Sequence, residues 1–220
     1  MSILNDELAG KVSRLVVKQL AKEDFRMELK RPIYVPIGVS ARHIHMERGH
    51  MERLFGPGYK LTVYKRISQP GQFAANEKLT IAGVKGKIEN VRVLGPLRNK
   101  TQVEISLSDS RKLGLVPPVR KSGDLNDTPG VILIGPAGKV SLNEGCIIAE
   151  RHIHMTEEEA LFYGVTDGQK VMVRIGGIKG GIMDNVYVRV RSDYAFDMHI
   201  DTDDANAFML ENGDLVEIIK

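Results

Sequence analysis

Tryptophan is absent from this sequence, cysteine occurs once, and only six Tyr and six Phe are present among 220 residues. A single thiol, Cys146, excludes an internal disulfide and any all-cysteine metal centre. A reducing, cytoplasmic setting is therefore expected. No run approaches the roughly 18 apolar residues that a membrane-spanning helix needs. The first residues also lack the continuous apolar stretch and small-residue cleavage site of a secretory signal, so no membrane is expected as a partner. The net charge is only +3, with acidic and basic residues interspersed and no basic–aromatic alternation. That is too mild a footprint for nucleic acid, which is excluded as an expected partner. With so few aromatics, the core must be aliphatic.

What is present is a succession of short β-branched runs punctuated by Gly, Pro, Asn and Asp. "IYVPIGVS", "KLTVYKRI", "KLTIAG", "NVRVLG" and "QVEISL" come early; "GVILIG", "CIIAERHIHM", "KVMVRIGG", "NVYVRVRS", "DMHIDT" and "DLVEIIK" come later. This spacing predicts a mainly β chain folded as barrels or sandwiches. Two stretches, "MERGHMERLF" and "MTEEEALFYG", read as short helices, and Thr156 with Glu159 forms a capping-box pattern. Residues 1–24 read as an amphipathic helix, with Leu8, Val12, Leu15, Val16 and Leu20 recurring at spacings of three and four. That stripe either packs on the following domain or docks the protein to a larger assembly. Residues 111–130, rich in Pro, Gly and polar side chains, read as the connection between a first half at 31–110 and a second at 131–220. The glycine-rich "RIGGIKGGIMD" has neither Walker spacing nor a following helix pattern and reads as a β-turn region.

The halves repeat each other. "RHIHM" occurs at 42–46 and again at 151–155, and these two copies hold four of the six histidines. Each copy follows a strand and precedes a helix. Placing Asn90 over Asn185 without a gap puts Val91 on Val186, Val93 on Val188, and Glu104 on His199. In a strand, residues i and i+2 face the same way, so His43 projects with His45 and His152 with His154. A third ligand from another strand completes three protein ligands with an open position, the pattern of a catalytic zinc site. The expected sets are His43, His45 and Glu104, and His152, His154 and His199. Zinc is the default metal, although cobalt, nickel and iron accept the same donors. His50 has no histidine counterpart and reads as helical surface. Cys146 aligns with Ile37 and reads as a small buried hydrophobe.

Several stretches together resemble the phosphate propanoyltransferases, the PduL-type phosphotransacylases: "VPIGVSARHIHM", "SQPGQFAANEKLTI", "VRVLGPLRNKTQVEISLSD", "PPVRKSGDLNDTPG", "IIAERHIHM" and "MHIDTDDANAF". The resemblance runs from about Ile33 to the C-terminus. It implies two antiparallel β-barrel domains capped by short helices, with the active site between them. It also implies reversible acyl transfer between acyl-CoA and orthophosphate at two divalent metal ions held by the six residues above. Arg98 is similar to an arginine that contacts phosphate, and Ser40, Lys65, Arg92, Leu94, His199 and Asn206 to residues that contact CoA. Packing inside a bacterial microcompartment is a further implication, with residues 1–20 as the encapsulation peptide that meets shell or core proteins; a homodimer is the working expectation. Two other readings remain open on the residues alone. One is a metal-dependent hydrolase; the other is a binding protein whose histidine clusters only staple two barrels together.

Overall fold

A computed structural model describes residues 32–220; the expected N-terminal helix and encapsulation peptide lie outside the described residues. The described chain forms fifteen strands and four short helices in two sheets. The first HIH, with the strand that precedes it, gives β1 (Ile33–Ser40) and β2 (His43–His45), followed by α1 (Arg48–Phe55), β3 (Val63–Arg66), β4 (Phe73–Ala82), β5 (Lys87–Gly95) and β6 (Gln102–Glu104). Next come α2 (Leu107–Leu113), β7 (Val119–Arg120), β8 (Ile132–Ile134) and β9 (Lys139–Ser141). The second copy gives β10 (Cys146–Ala149), β11 (His152–Met155), α3 (Glu157–Tyr163), β12 (Lys170–Ile175), β13 (Gly181–Val190), β14 (Asp197–Asp201), α4 (Thr202–Phe208) and β15 (Leu215–Ile219).

Local chemistry accounts for these elements. Val171, Val173 and Ile175 of β12 alternate inward while Lys170, Met172 and Arg174 face out. The Thr156–Glu159 capping box forms as expected, and the helix ends where Gly164 takes a left-handed φ of 65°. The two helices not anticipated from sequence, α2 and α4, are seven residues each and start at the side-chain caps of Ser106 and Asp201.

The architecture is mainly β, with one sheet closing into a six-stranded barrel, β1-β14-β11-β13-β12-β15. The other, β7-β10-β6-β2-β5-β4-β8-β9 with β3 on β4, curls into a half-barrel. Antiparallel pairs predominate, but both sheets are mixed: β2 lies parallel to β5, and β11 to β13. β2 and β11 are each followed by a helix before the chain returns to the parallel neighbour, the crossover that parallel pairing requires.

The halves of the repeat exchange strands across the two sheets. β1, from before the first HIH, pairs with β14 and β15 in the barrel; β10, from before the second, pairs with β6 and β7 in the half-barrel. The two aliphatic cores record the same exchange. Val35 and Ile37 pack with Ile153, Met155 and Val188, whereas Cys146, Leu133 and Val140 pack with Ile44, Met46 and Val93. Each half of the repeat therefore crosses from one sheet to the other immediately before its HIH strand, which holds both HIH strands at the junction.

Candidate active site

The arginine, isoleucine and methionine of the repeated pentapeptide have the same roles in both copies. The arginine grips an aspartate of the helix that follows β6 or β14: Arg42 Nε donates to Asp109 Oδ2 at 2.7 Å, and Arg151 to Asp204 at 2.6 and 3.0 Å. Ile44 and Ile153, like Met46 and Met155, are fully buried in the two cores. The histidines between them point to the opposite face. The unforced alignment of Asn90 with Asn185 matches the backbone, since both adopt a left-handed φ, 59° and 57°.

The register then sets the clusters. His43 stands opposite Glu104 in the β2–β6 pair, and His152 opposite His199 in the β11–β14 pair. The structure brings together His43, His45 and Glu104, and separately His152, His154 and His199; in each group one donor atom from every residue lies within 4.8 Å of the others. Five of the six are buried and His199 is half-buried. His43 Nδ1 faces the Ala41 carbonyl at 2.9 Å, and His152 Nδ1 the Glu150 carbonyl at 2.7 Å. A carbonyl only accepts, so both rings carry a proton on Nδ1, which leaves Nε2 as the nitrogen available to a metal. His45 Nδ1 is buried with no hydrogen-bond partner. In the first cluster His43 Nε2 and His45 Nε2 face Glu104 at 3.5 and 3.9 Å, and imidazole nitrogens converging with one carboxylate are a donor set that fits a divalent cation such as zinc.

At Glu104, His45 and His152 electrostatics favours the charge states such a cation needs. Burial pushes the Glu104 carboxyl up, but His43, His45 and Arg98 outweigh it and hold the group well below the usual carboxylate range. Burial followed by the charges of His43 and Arg98 pushes His45 well below the ordinary imidazole value; burial followed by Arg189 does the same to His152. His43 goes the other way, because Glu104 outweighs its burial.

Both clusters line one cavity of about 470 Å³, together with Ser40, Leu94 and Arg98 of the residues anticipated above. Arg98 Nη1 donates to Ser122 Oγ at 2.9 Å, and the Ser122 hydroxyl donates to Glu104 Oε1 at 3.1 Å. Lys65, Arg92 and Asn206 do not line it. Lys65 is exposed on β3, Arg92 lies over the Tyr64 ring at 4.4 Å, and Asn206 is exposed on α4. Cys146 is buried away from the cavity, and burial pushes its thiol up to about 12. His50 is not plain surface: its Nδ1 lies 2.8 Å from Thr101 Oγ1 and ties α1 to the segment before β6.

Sequence reasoning missed several residues that share this cavity. Arg189 is buried, holds Glu150 Oε1 at 3.2 Å and leaves its Nε without a partner. Its signal was a basic residue inside the apolar run "NVYVRV". Gln102 and Asp197 do not line the cavity but hydrogen-bond to cluster residues from behind; each stands two positions before a third cluster residue and was legible from strand periodicity. Ser122, inside the stretch read as a connection, and Tyr194, whose ring lies tilted against His154 with centroids 4.3 Å apart, had no sequence signal.

Comparison with known proteins accords with this geometry. The family model for phosphate propanoyltransferases matches residues 36–211. The chain belongs to the phosphate propanoyltransferase family. It is 52% identical over 200 residues to a phosphate propanoyltransferase of Thermotoga maritima, covering 90% of this chain and 95% of that one. A phosphate propanoyltransferase of Rhodopseudomonas palustris is 51% identical over 189 residues, covering 86% and 84%. One from Rhodobacter capsulatus is 48% identical over 205 residues, covering 93% and 95%. As a member of the phosphate propanoyltransferase family the chain is an acyltransferase.

Proposed function

We propose that this enzyme interconverts acyl-CoA and orthophosphate with acyl phosphate and CoA, the acyl group being propanoyl, at a two-metal site between the barrel and the half-barrel sheet. The observation that carries the reading is the convergence of two donor clusters with Arg98 and Arg189 on one cavity. His43, His45 and Glu104 would hold one ion, and His152, His154 and His199 the other. Divalent ions there would supply Lewis-acid polarisation of the thioester carbonyl and neutralise charge on phosphate. Arg98, oriented by Ser122, binds phosphate, and Arg189 adds a second guanidinium from the opposite sheet. Holding phosphate oxygen against the carbonyl carbon can supply about 7–11 kcal/mol of the barrier. The phosphate oxygen–carbon bond forms, the carbon–sulfur bond breaks, and CoA leaves as the thiolate. Ser40, Leu94 and His199 contact CoA from the cavity; Lys65, Arg92 and Asn206 contact it from outside. No covalent enzyme intermediate is invoked, since the one thiol is buried, unactivated and outside the cavity. Residues 1–20 are proposed to dock the enzyme inside a microcompartment through their apolar stripe.

The test is thiol release from propanoyl-CoA, with and without phosphate, before and after chelation. Phosphate-dependent release that chelation abolishes and zinc restores is the expected result. Release without phosphate would replace transfer with hydrolysis, and no release with metal bound would leave a metal-stapled binding protein.

A further inference from the structure

The three-histidine cluster has a feature the other lacks: a single carboxylate outside the cluster faces two of its rings. Asp197 is buried on β14, opposite His154 in the antiparallel register. Its Oδ1 lies 3.0 Å from His154 Nδ1 and its Oδ2 3.0 Å from His199 Nε2. A carboxylate anion only accepts, so each of those ring nitrogens must carry the proton. His154 is left with a bare Nε2 and His199 with a bare Nδ1. One side chain thus sets the tautomer and the orientation of two donors at once.

What holds Asp197 comes from the other sheet. Gln69, in the turn between β3 and β4 and only 2% exposed, donates from Nε2 to Asp197 Oδ1 at 2.7 Å and to the Ala195 carbonyl at 2.9 Å. Its Oε1 accepts from the Ala195 N–H at 3.2 Å. The Ser68 hydroxyl donates to Asp197 Oδ2. Each carboxylate oxygen therefore has two partners, one histidine and one residue of the half-barrel sheet.

We propose that Asp197 is the positioning residue of the His152–His154–His199 cluster, and that Gln69 is the latch that holds Asp197 from across the sheet boundary. The proposal rests on reading that cluster as a metal site. The repeat shows why the device is one-sided. Asp197 aligns with Gln102, and His199 with Glu104, so each half carries one carboxylate on this strand face, inside the cluster in the first half and behind it in the second. Metal affinity at the three-histidine site then depends on a residue of the other sheet, and affinity at the first site does not.

Zinc competition against a chromophoric chelator, on metal-stripped full-length protein with thermal unfolding in parallel, tests this. Wild type is expected to take two zinc ions per chain. Asp197→Asn keeps the shape but offers one ring a donor instead of an acceptor; one of the two sites is expected to weaken about 10–100-fold while the other is unchanged. Gln69→Ala leaves every cluster residue and Asp197 in place and is expected to weaken the same site about 10-fold. Should Asp197→Asn fail to fold, Gln69→Ala decides alone. If wild type binds two zinc ions and the folded variants bind both as tightly, the positioning role is overturned and the metal reading survives. If wild type binds none, both are overturned.

Discussion

Gly38→Ala is the smallest change expected to disable the site from behind. Gly38 lies on β1 directly beside His199 in the parallel β1–β14 register. A Cβ at this position would sit 2.7 Å from His199 Cδ2 and 3.1 Å from its Nε2. Carbon atoms in contact prefer about 3.5–4.0 Å, so the imidazole must retreat by about 1 Å. Its Nε2 would then leave Asp197, now 3.0 Å away, and its Nδ1 would leave the cluster. Metal–imidazole distances tolerate about 0.2 Å, and a displacement near 1 Å in an active site costs about 10²-fold in rate. The fold should bear the change better. Overpacking costs about 1–3 kcal/mol, and replacing Gly returns about 0.4–1 kcal/mol by restricting the unfolded chain. At about 2–4 °C per kcal/mol for a domain of this size, Tm should fall by only a few degrees. The assay is phosphate-dependent thiol release beside a thermal melt and a zinc determination. A variant that works at the wild-type rate with both zinc ions bound would refute the reasoning. The repeat supplies the internal comparison: the position equivalent to Gly38 is Ile147, paired with Glu104. A slender carboxylate leaves room there that an imidazole does not.

Two further predictions concern stability. Arg151 holds Asp204 through two hydrogen bonds and donates a third to the Asp184 carbonyl, whereas Arg42 makes one to Asp109 and is the more exposed arginine. Double-mutant cycles to Ala are expected to give a coupling of about 2 kcal/mol for Arg151–Asp204 and at most about 1 kcal/mol for Arg42–Asp109; equal couplings would count against the geometry. In metal-stripped protein, His45 and His152, held well below the ordinary imidazole value by burial, and His154, lowered by burial, stay neutral in the folded chain. Below about pH 6.5 the unfolded chain binds protons that the folded one refuses, so stability should fall with pH, at about 1.4 kcal/mol per unit for each proton of difference. His43, raised by Glu104, opposes this by one proton, its contribution being present below about pH 6.5 and lost as pH rises through its folded value. Urea midpoints from pH 7.5 to 5.5 check the sign, and a rise on acidification would contradict it.

Much of the site was written in one dimension. The duplicated pentapeptide, the period of two within a strand and the gapless offset from Asn90 to Asn185 together place Glu104 and His199 opposite the first histidine of each pair, as the register does. Strand periodicity is local, so it survives in the sequence. Family membership is likewise carried by contiguous motifs. What the chain could not reveal is which sheet a strand joins. β1 pairs with β15 as far along the chain as Ile33 with Ile218, and β10 pairs with β6 of the opposite half, and nothing in "IYVPIGVS" or "CIIA" names them. That exchange brings both HIH strands to the same junction and merges two clusters into one cavity. It also lets Gln69 reach Asp197 and Arg189 share a wall with Arg98. Hydrophobic alternation tells a strand which face to bury, but the backbone hydrogen bonds of any two strands are alike, so only packing of the whole chain selects the neighbour.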